Sequence, residues 1–150
     1  MAIAIVCKAG NKAEISEIGT SLEELQELVG GLIEYVYSPM LEQISPRLRI
    51  IGNEEGKIDG VCKPCRPLLD SNGRIYDVMF GTFAIVYENE DGDIVDIPND
   101  IIKKLLNNSW ISQRGFLMHV GEMYSCIPER VKKNVLYWVR EDDCRRRINV

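Results

Sequence analysis

Two thiols three positions apart, in Val61-Cys62-Lys63-Pro64-Cys65-Arg66, are the residues whose types and spacing most directly suggest chemistry. A Cys-x-x-Cys pair can supply half of a tetrahedral zinc site or serve as a redox couple. A structural zinc site wants four ligands, commonly as two close pairs. The remaining Cys7, Cys126 and Cys144, with the single histidine His119, offer no second pair at that spacing. His119 and Cys126 stand seven apart, which is not a usual ligand interval. A redox couple ordinarily opens a helix that follows a parallel strand, and this pair follows the turn-like Asn53-Glu54-Glu55-Gly56-Lys57. Five cysteines, an odd number in a chain that reads as intracellular, fit free thiols better than a disulfide framework.

Hydrolytic chemistry has fewer candidates. A Ser or Cys nucleophile needs a positioned base, and the one imidazole sits in the apolar Phe116-Leu117-Met118-His119-Val120, where a buried, hydrogen-bonded histidine is the simpler account. Glu54-Glu55, Asp91 and Asp93 fall in turn-like segments that favour solvated acids. Gly30-Gly31 reads as a helix stop and has no phosphate-loop spacing. Trp110 and Trp138 read as packing anchors. The expectation is a protein that is not an enzyme and holds no metal or cofactor.

Binding a nucleotide-like ligand asks for less: an aromatic face for the base, Arg for phosphate, and Asn or Asp for ribose and base edges. The stretch from Arg74 to Asn89 brings Arg74, Tyr76, Phe80, Phe83, Tyr87 and Asn89 together in sequence. Arg114 and Arg130 are placed to complete such a pocket from the same or a neighbouring subunit. Aromatics that alternate along a strand more often form core, and Phe83 carries both readings.

These residues need a scaffold, and 150 residues with 45% hydrophobic content make one domain the simplest solution. The formal charge of −5 excludes a general duplex-DNA binder, which concentrates Lys and Arg against phosphates. Charge is unevenly placed: Glu14, Glu17, Glu23, Glu24, Glu27 and Glu34 occur with no basic residue among them, whereas Arg130 to Arg147 is rich in Arg and Lys. Two solvated faces explain this, and so does pairing of acidic and basic surfaces in a homo-oligomer. No apolar run approaches the roughly 20 residues that span a bilayer, and Met1 to Lys8 lacks a signal peptide's basic start and cleavage site. A cytoplasmic location with no membrane partner is expected.

Periodicity supplies the elements. Ile3, Ile5 and Cys7, then Ala13 and Ile15, predict an opening hairpin. Ser21 with Glu24 forms a capping-box pattern before a helix over 21–29, whose stripe is Leu22, Leu25, Leu28 and Val29 and whose exit is Gly30. Strands are predicted at 32–37, at 48–51 paired with 57–61 through a positive-φ Gly56, and at 82–87 paired with 94–97. Met40 to Pro46 is ambiguous. Asn99 or Asp100 caps a helix over 101–106 that Asn107-Asn108 ends, and Pro128 opens a last helix with Val131, Val135, Leu136, Trp138 and Val139 on one face. The sum is an α+β fold: a mainly antiparallel sheet domain over 1–98, then a helical extension over 99–150, in one compact unit.

Three stretches in order, SLEELQELVGGLIEYVY from Ser21, NEEGK from Asn53 and DSNGRIYDVMFGTFAIV from Asp70, resemble domain-of-unknown-function family 3846 of small phage and mobile-element proteins, over about residues 1 to 106. Where that family carries an apolar-Pro-x-Asn run after the glycine of NEEGK, this chain reads Cys62-Lys63-Pro64-Cys65, so the resemblance implies a scaffold that manages without zinc. Arg66 matches the family's basic residue and joins the ligand candidates. The order of elements is also similar to that of Thoeris anti-defence proteins, phage sponges for cyclic ADP-ribose signals. The resemblance implies a phage accessory context of counter-defence, regulatory or host-takeover factors; together with the residue pattern above, the leading expectation is a non-enzymatic counter-defence protein that sequesters a cyclic nucleotide-type signal through Arg66, Arg74, Phe83, Asn89, Arg114 and Arg130. An alternative is a protein that inhibits a host defence protein by direct contact, through its acidic helix and C-terminal extension.

Overall fold

The computed structural model describes residues 1–56, 65–72, 76–108 and 111 in full, with the backbone of Pro64, Ile75 and three strands between 115 and 137. In chain order the elements are β1 (Ala2–Cys7), β2 (Glu14–Ile18), α1 (Leu22–Val29), β3 (Ile33–Val36), α2 (Pro39–Ile44), β4 (Leu48–Asn53), β5 (Pro64–Leu69), β6 (Ile75–Phe80), β7 (Phe83–Glu88), β8 (Ile94–Val95), α3 (Asn99–Leu106), β9 (Gly115–Val120), β10 (Met123–Pro128) and β11 (Leu136–Tyr137). The fold is α+β, and every strand pair among the described residues is antiparallel.

The main sheet runs β2-β1-β7-β4-β3, with β8 on β7. Its centre is β7, inserted between β1 (Ile5 opposite Ile85) and β4 (Ile50 opposite Ile85). Strand alternation sends Ile5, Cys7, Leu48, Ile50, Phe83 and Ile85 to one face, where they meet Leu41 of α2, Cys65 and Leu68 of β5, Met79 of β6, and Ile101, Ile102 and Leu105 of α3. Ala4, Val6, Ile51, Ala84 and Val86 face the other way and pack on Leu25 and Val29 of α1. Burial on both faces explains the almost continuous apolar runs of β1 and β7. Each large side chain removed from water contributes about 1.5–3 kcal/mol, so the two layers together outweigh any single cap or turn. No helix among the described residues is long and apolar enough to cross a membrane.

Local signals act much as their chemistry requires, with instructive exceptions. Ser21 accepts the Glu24 amide at 3.2 Å, but its hydroxyl donates to Glu24 Oε1 at 2.8 Å, so the glutamate closes on the side chain of the cap. Gly30 leaves α1 at φ 83°, while Leu22, expected in the buried stripe, is 58% exposed. The ambiguous Met40 to Pro46 segment is largely α2: Ser38 accepts the Leu41 amide at 3.3 Å and Pro39 occupies the first turn. Helix α3 begins after Pro98 with no side-chain cap, contrary to the expected role of Asn99 or Asp100. Its apolar face belongs to the same core as the sheet. Pro128 closes β10 and Leu136–Tyr137 are extended, so those positions are not in the expected last helix; the rest of it lies outside the described residues.

Gly56 is a further correction. It is not among the positive-φ glycines, and its need is for space: a Cβ there would stand 2.8 Å from the Phe80 carbonyl oxygen. β4 pairs with β3 and β7, and the partner expected across Gly56, residues 57–61, lies outside the described residues. Because the obstructing atom is backbone, Gly56→Ala is expected to destabilise the fold by about 1–3 kcal/mol, read as a lower urea midpoint with an unchanged m-value.

Candidate functional site

The run Ile33-Glu34-Tyr35-Val36-Tyr37-Ser38-Pro39 ends a strand and starts a helix within seven residues. Ser38 and Pro39 fix the start of α2, and the corner leaves Tyr35 and Tyr37 54% and 68% exposed. Between this corner and β4 lies a cavity of about 350 Å³, lined by Tyr35, Tyr37, Leu41, Glu42, Leu48 and Arg49. Tyr76, from β6, reaches the same corner and donates its hydroxyl to the Tyr37 carbonyl at 2.8 Å.

The polar groups are held by short bonds. Tyr37 Oη donates to Glu42 Oε2 at 2.5 Å. Arg49 Nε lies 3.0 Å from Glu88 Oε1, and its Nη1 donates to the carbonyls of Pro46 and Leu48 at 2.7 and 2.9 Å. Nη2 makes no hydrogen bond among the described residues, which leaves one edge of the guanidinium fork for another acceptor. All three phenols have raised pKa values. Burial is the leading cause at Tyr35, with the Glu88 charge and hydrogen bond next; the bond to Glu42 leads at Tyr37; burial leads at Tyr76, followed by Asp77. They are therefore neutral hydroxyl donors at physiological pH. Exposed rings beside a guanidinium can stack a planar ring and hold an anion.

Of the sequence-derived site residues, the three that are described, Arg66, Phe83 and Asn89, do not line this cavity. Phe83 is fully buried in the core opposite Cys7, so its ring presents no binding face. Asn89 structures the turn before β8: its Oδ1 accepts the amides of Asp91 and Asp93, both at 2.9 Å. Arg66 is 1% exposed, and its guanidinium donates to the carbonyls of Ile111 (2.9 Å), Cys65 (2.9 Å) and Asn11 (2.5 Å). Among the described residues no carboxylate pairs with it. Arg74, Arg114 and Arg130 lie outside the described residues, as does Cys62, while Cys65 is buried on β5. Tyr35 and Tyr37 were readable as strand residues ending at Ser-Pro. That their strand is the outermost depends on β7 entering between β1 and β4, which no local pattern announces.

Arg66 is thus a structural cation, and Cys7 beside it is a structural thiol. Burial pushes the Cys7 pKa from 9.0 to about 12, although the nearby Arg66 charge pulls the other way. Such a thiol is a poor nucleophile at neutral pH. Arg66→Met leaves three carbonyls without their donor, and Arg66→Lys cannot reproduce the planar fork; each is expected to cost about 3 kcal/mol in denaturant titration. For Cys7 the sign follows from the raised folded pKa. Its contribution to stability is complete below pH 9.0 and falls as pH rises toward about 12, because only the unfolded thiol ionises in that window. Cys7→Ala should therefore flatten the alkaline decline of stability, measured by urea midpoints from about pH 8 to about pH 11. The three tyrosines add a decline of the same sign above about pH 10 in both proteins.

The family described as Domain of unknown function (DUF3846) matches residues 1–109, the span that holds β1 to α3 and the whole cavity. No curated protein and no solved structure matches the chain. With the match covering 109 of the 150 residues, the chain belongs to the DUF3846 family.

Proposed function

We propose that this protein is a non-enzymatic phage or mobile-element factor that counters host antiviral defence by sequestering a cyclic nucleotide-type signal, such as a cyclic ADP-ribose isomer, in the cytoplasm of the infected cell. The observation that carries the reading is the cavity of about 350 Å³ at the β3–α2 corner, where Tyr35 and Tyr37 expose their rings beside Arg49. Its volume lies within the range of small-ligand sites, roughly 300–1,000 Å³. An aromatic face takes the base, the free edge of Arg49 takes phosphate, and Glu42 lies where ribose hydroxyls could donate. Phenols held protonated and a guanidinium held by carbonyls recognise a ligand without activating a nucleophile against it. A homo-oligomer fits this role by concentrating sites.

The second reading, direct inhibition of a host protein, is favoured by one specific feature: the edge of β3 is flanked by the exposed Leu22, Leu32 and Tyr35.

Incubating the pure protein with a panel of cyclic nucleotides and cyclic ADP-ribose isomers, then denaturing it and identifying what is released, distinguishes the readings. Sequestration predicts depletion of one ligand and its release intact. Tyr35→Ala and Arg49→Ala should each weaken capture about tenfold or more while melting within a few degrees of the parent. Release of a degraded ligand would make the protein an enzyme; capture untouched by both substitutions would remove the cavity as the site.

A further inference from the structure

The charges at the β3–α2 corner do not cancel. Glu88 engages Arg49 at 3.0 Å and offsets its charge. Glu42 lines the same cavity, is exposed, and pairs with no cation among the described residues. The Tyr37 hydroxyl donates to it, which fills one acceptor position and leaves the charge in place. One guanidinium therefore stands against two carboxylates, and the corner is acidic by one unit of charge. The first turn of α2 is a favourable place for a carboxylate, but a helix dipole does not neutralise it.

The exposed rings share this field. A carboxylate is a charged neighbour of each phenol: Glu88 of Tyr35, Glu42 of Tyr37, and Asp77 and Asp70 of Tyr76, with Arg49 opposing at Tyr35. An aromatic face carries the negative end of its quadrupole, and a nearby carboxylate deepens that potential. A planar cation gains on such a face what a neutral ring does not.

Arg49 sets a second requirement, because its Nη2 edge is open to an acceptor. A plain cation leaves that edge unserved, and a phosphate on a neutral base leaves Glu42 facing like charge. A nucleotide with a positively charged base meets both conditions. We propose that the corner selects a nucleotide whose purine is alkylated on a ring nitrogen, with the cationic base on the tyrosines beside Glu42 and a phosphate on Arg49. This rests on the reading of the corner as a nucleotide site and narrows its ligand. A cyclic signal closed through a ring nitrogen of adenine carries the positive charge at neutral pH, whereas one closed between its sugars does not. It also gives the charge of Glu42 a use: a ribose hydroxyl would be accepted equally well by a neutral glutamine.

Two isomers of one nucleotide supply the test: adenosine monophosphate methylated on N1, which is cationic in the base, and the same nucleotide methylated on N6, which is neutral. Calorimetric titration should show the N1 isomer binding about tenfold tighter. Glu42→Gln keeps an acceptor for Tyr37 and should bring the two isomers within about twofold, while binding of the N6 isomer stays the same or tightens. Glu42→Asp keeps the charge and should keep the preference, and Arg49→Ala should weaken both isomers alike. Equal binding of the isomers, or a preference that survives Glu42→Gln, would overturn the proposal and leave nucleotide capture standing. Loss of the preference in Glu42→Asp as well would make Glu42 a structural residue and overturn it too. Displacement of the N1 isomer by spermidine at equal concentration would reduce the site to one for plain cations. Binding of neither isomer up to millimolar concentration would remove the corner as a nucleotide site, and this inference with it.

Discussion

The buried guanidinium of Arg66 holds together parts of the chain that nothing local would unite. Its acceptors are 55 residues upstream, at Asn11 in the turn between β1 and β2, and 45 residues downstream, at Ile111 beyond α3. Taking a cation out of water costs several kcal/mol, and neutral carbonyls offset that only through several short charge-assisted bonds in a fixed plane. The arrangement therefore tolerates little movement of β5 against the main sheet. With β5 and β6 fixed there, Phe83 and Cys7 are sealed beneath them. The face that might have offered a pocket is occupied by core.

Exposed chemistry is consequently displaced to the rim. One face of the sheet is covered by α1 and the other by α2, α3 and the β5–β6 pair, and among the described residues the exposed tyrosines stand at the β3 edge and the β3–α2 corner. The same insertion of β7 that completes the core makes β3 an outer strand. Fold and candidate site thus follow from one topological choice.

That choice explains what sequence could disclose. The β1–β2 hairpin, α1 between Ser21 and Gly30, the turn at Asn89 to Asp93 and α3 are coded by spacing within a dozen residues, and each was legible. Strand order was not, because it depends on contacts across the chain between runs of similar apolar character. Arg66 drew attention for its charge, but a charge does not reveal whether its acceptors are a phosphate or three backbone carbonyls. Phe83 carried two readings until its neighbours were known. Gly56 was noticed for the right residue and the wrong reason: crowding by the Phe80 carbonyl, with no positive φ. Pro128 suited the first turn of a helix as well as the last position of a strand, and only its partner Gly115 distinguishes the two.

Tyr35 belongs to both proposed surfaces, and that has a thermodynamic consequence. The residue lines the corner cavity with Arg49 and also a groove beside α1, and it stands on the last strand of the sheet. A protein bound at the edge would fix the backbone and ring of a residue that is now half in water. If it holds the ring where a stacked base needs it, ordering entropy has already been lost and the ligand binds more tightly; if it draws the ring into the α1 groove, the two occupants compete. Linkage requires the effect to be equal in both directions. Because Glu88 pairs with Arg49 at 3.0 Å and its charge also acts on the Tyr35 hydroxyl, displacement of the ring changes the surroundings of the cation that would hold the anion. Competition is therefore the expected sign, with capture of a small anion and protein contact at the β3 edge as alternative states of one corner.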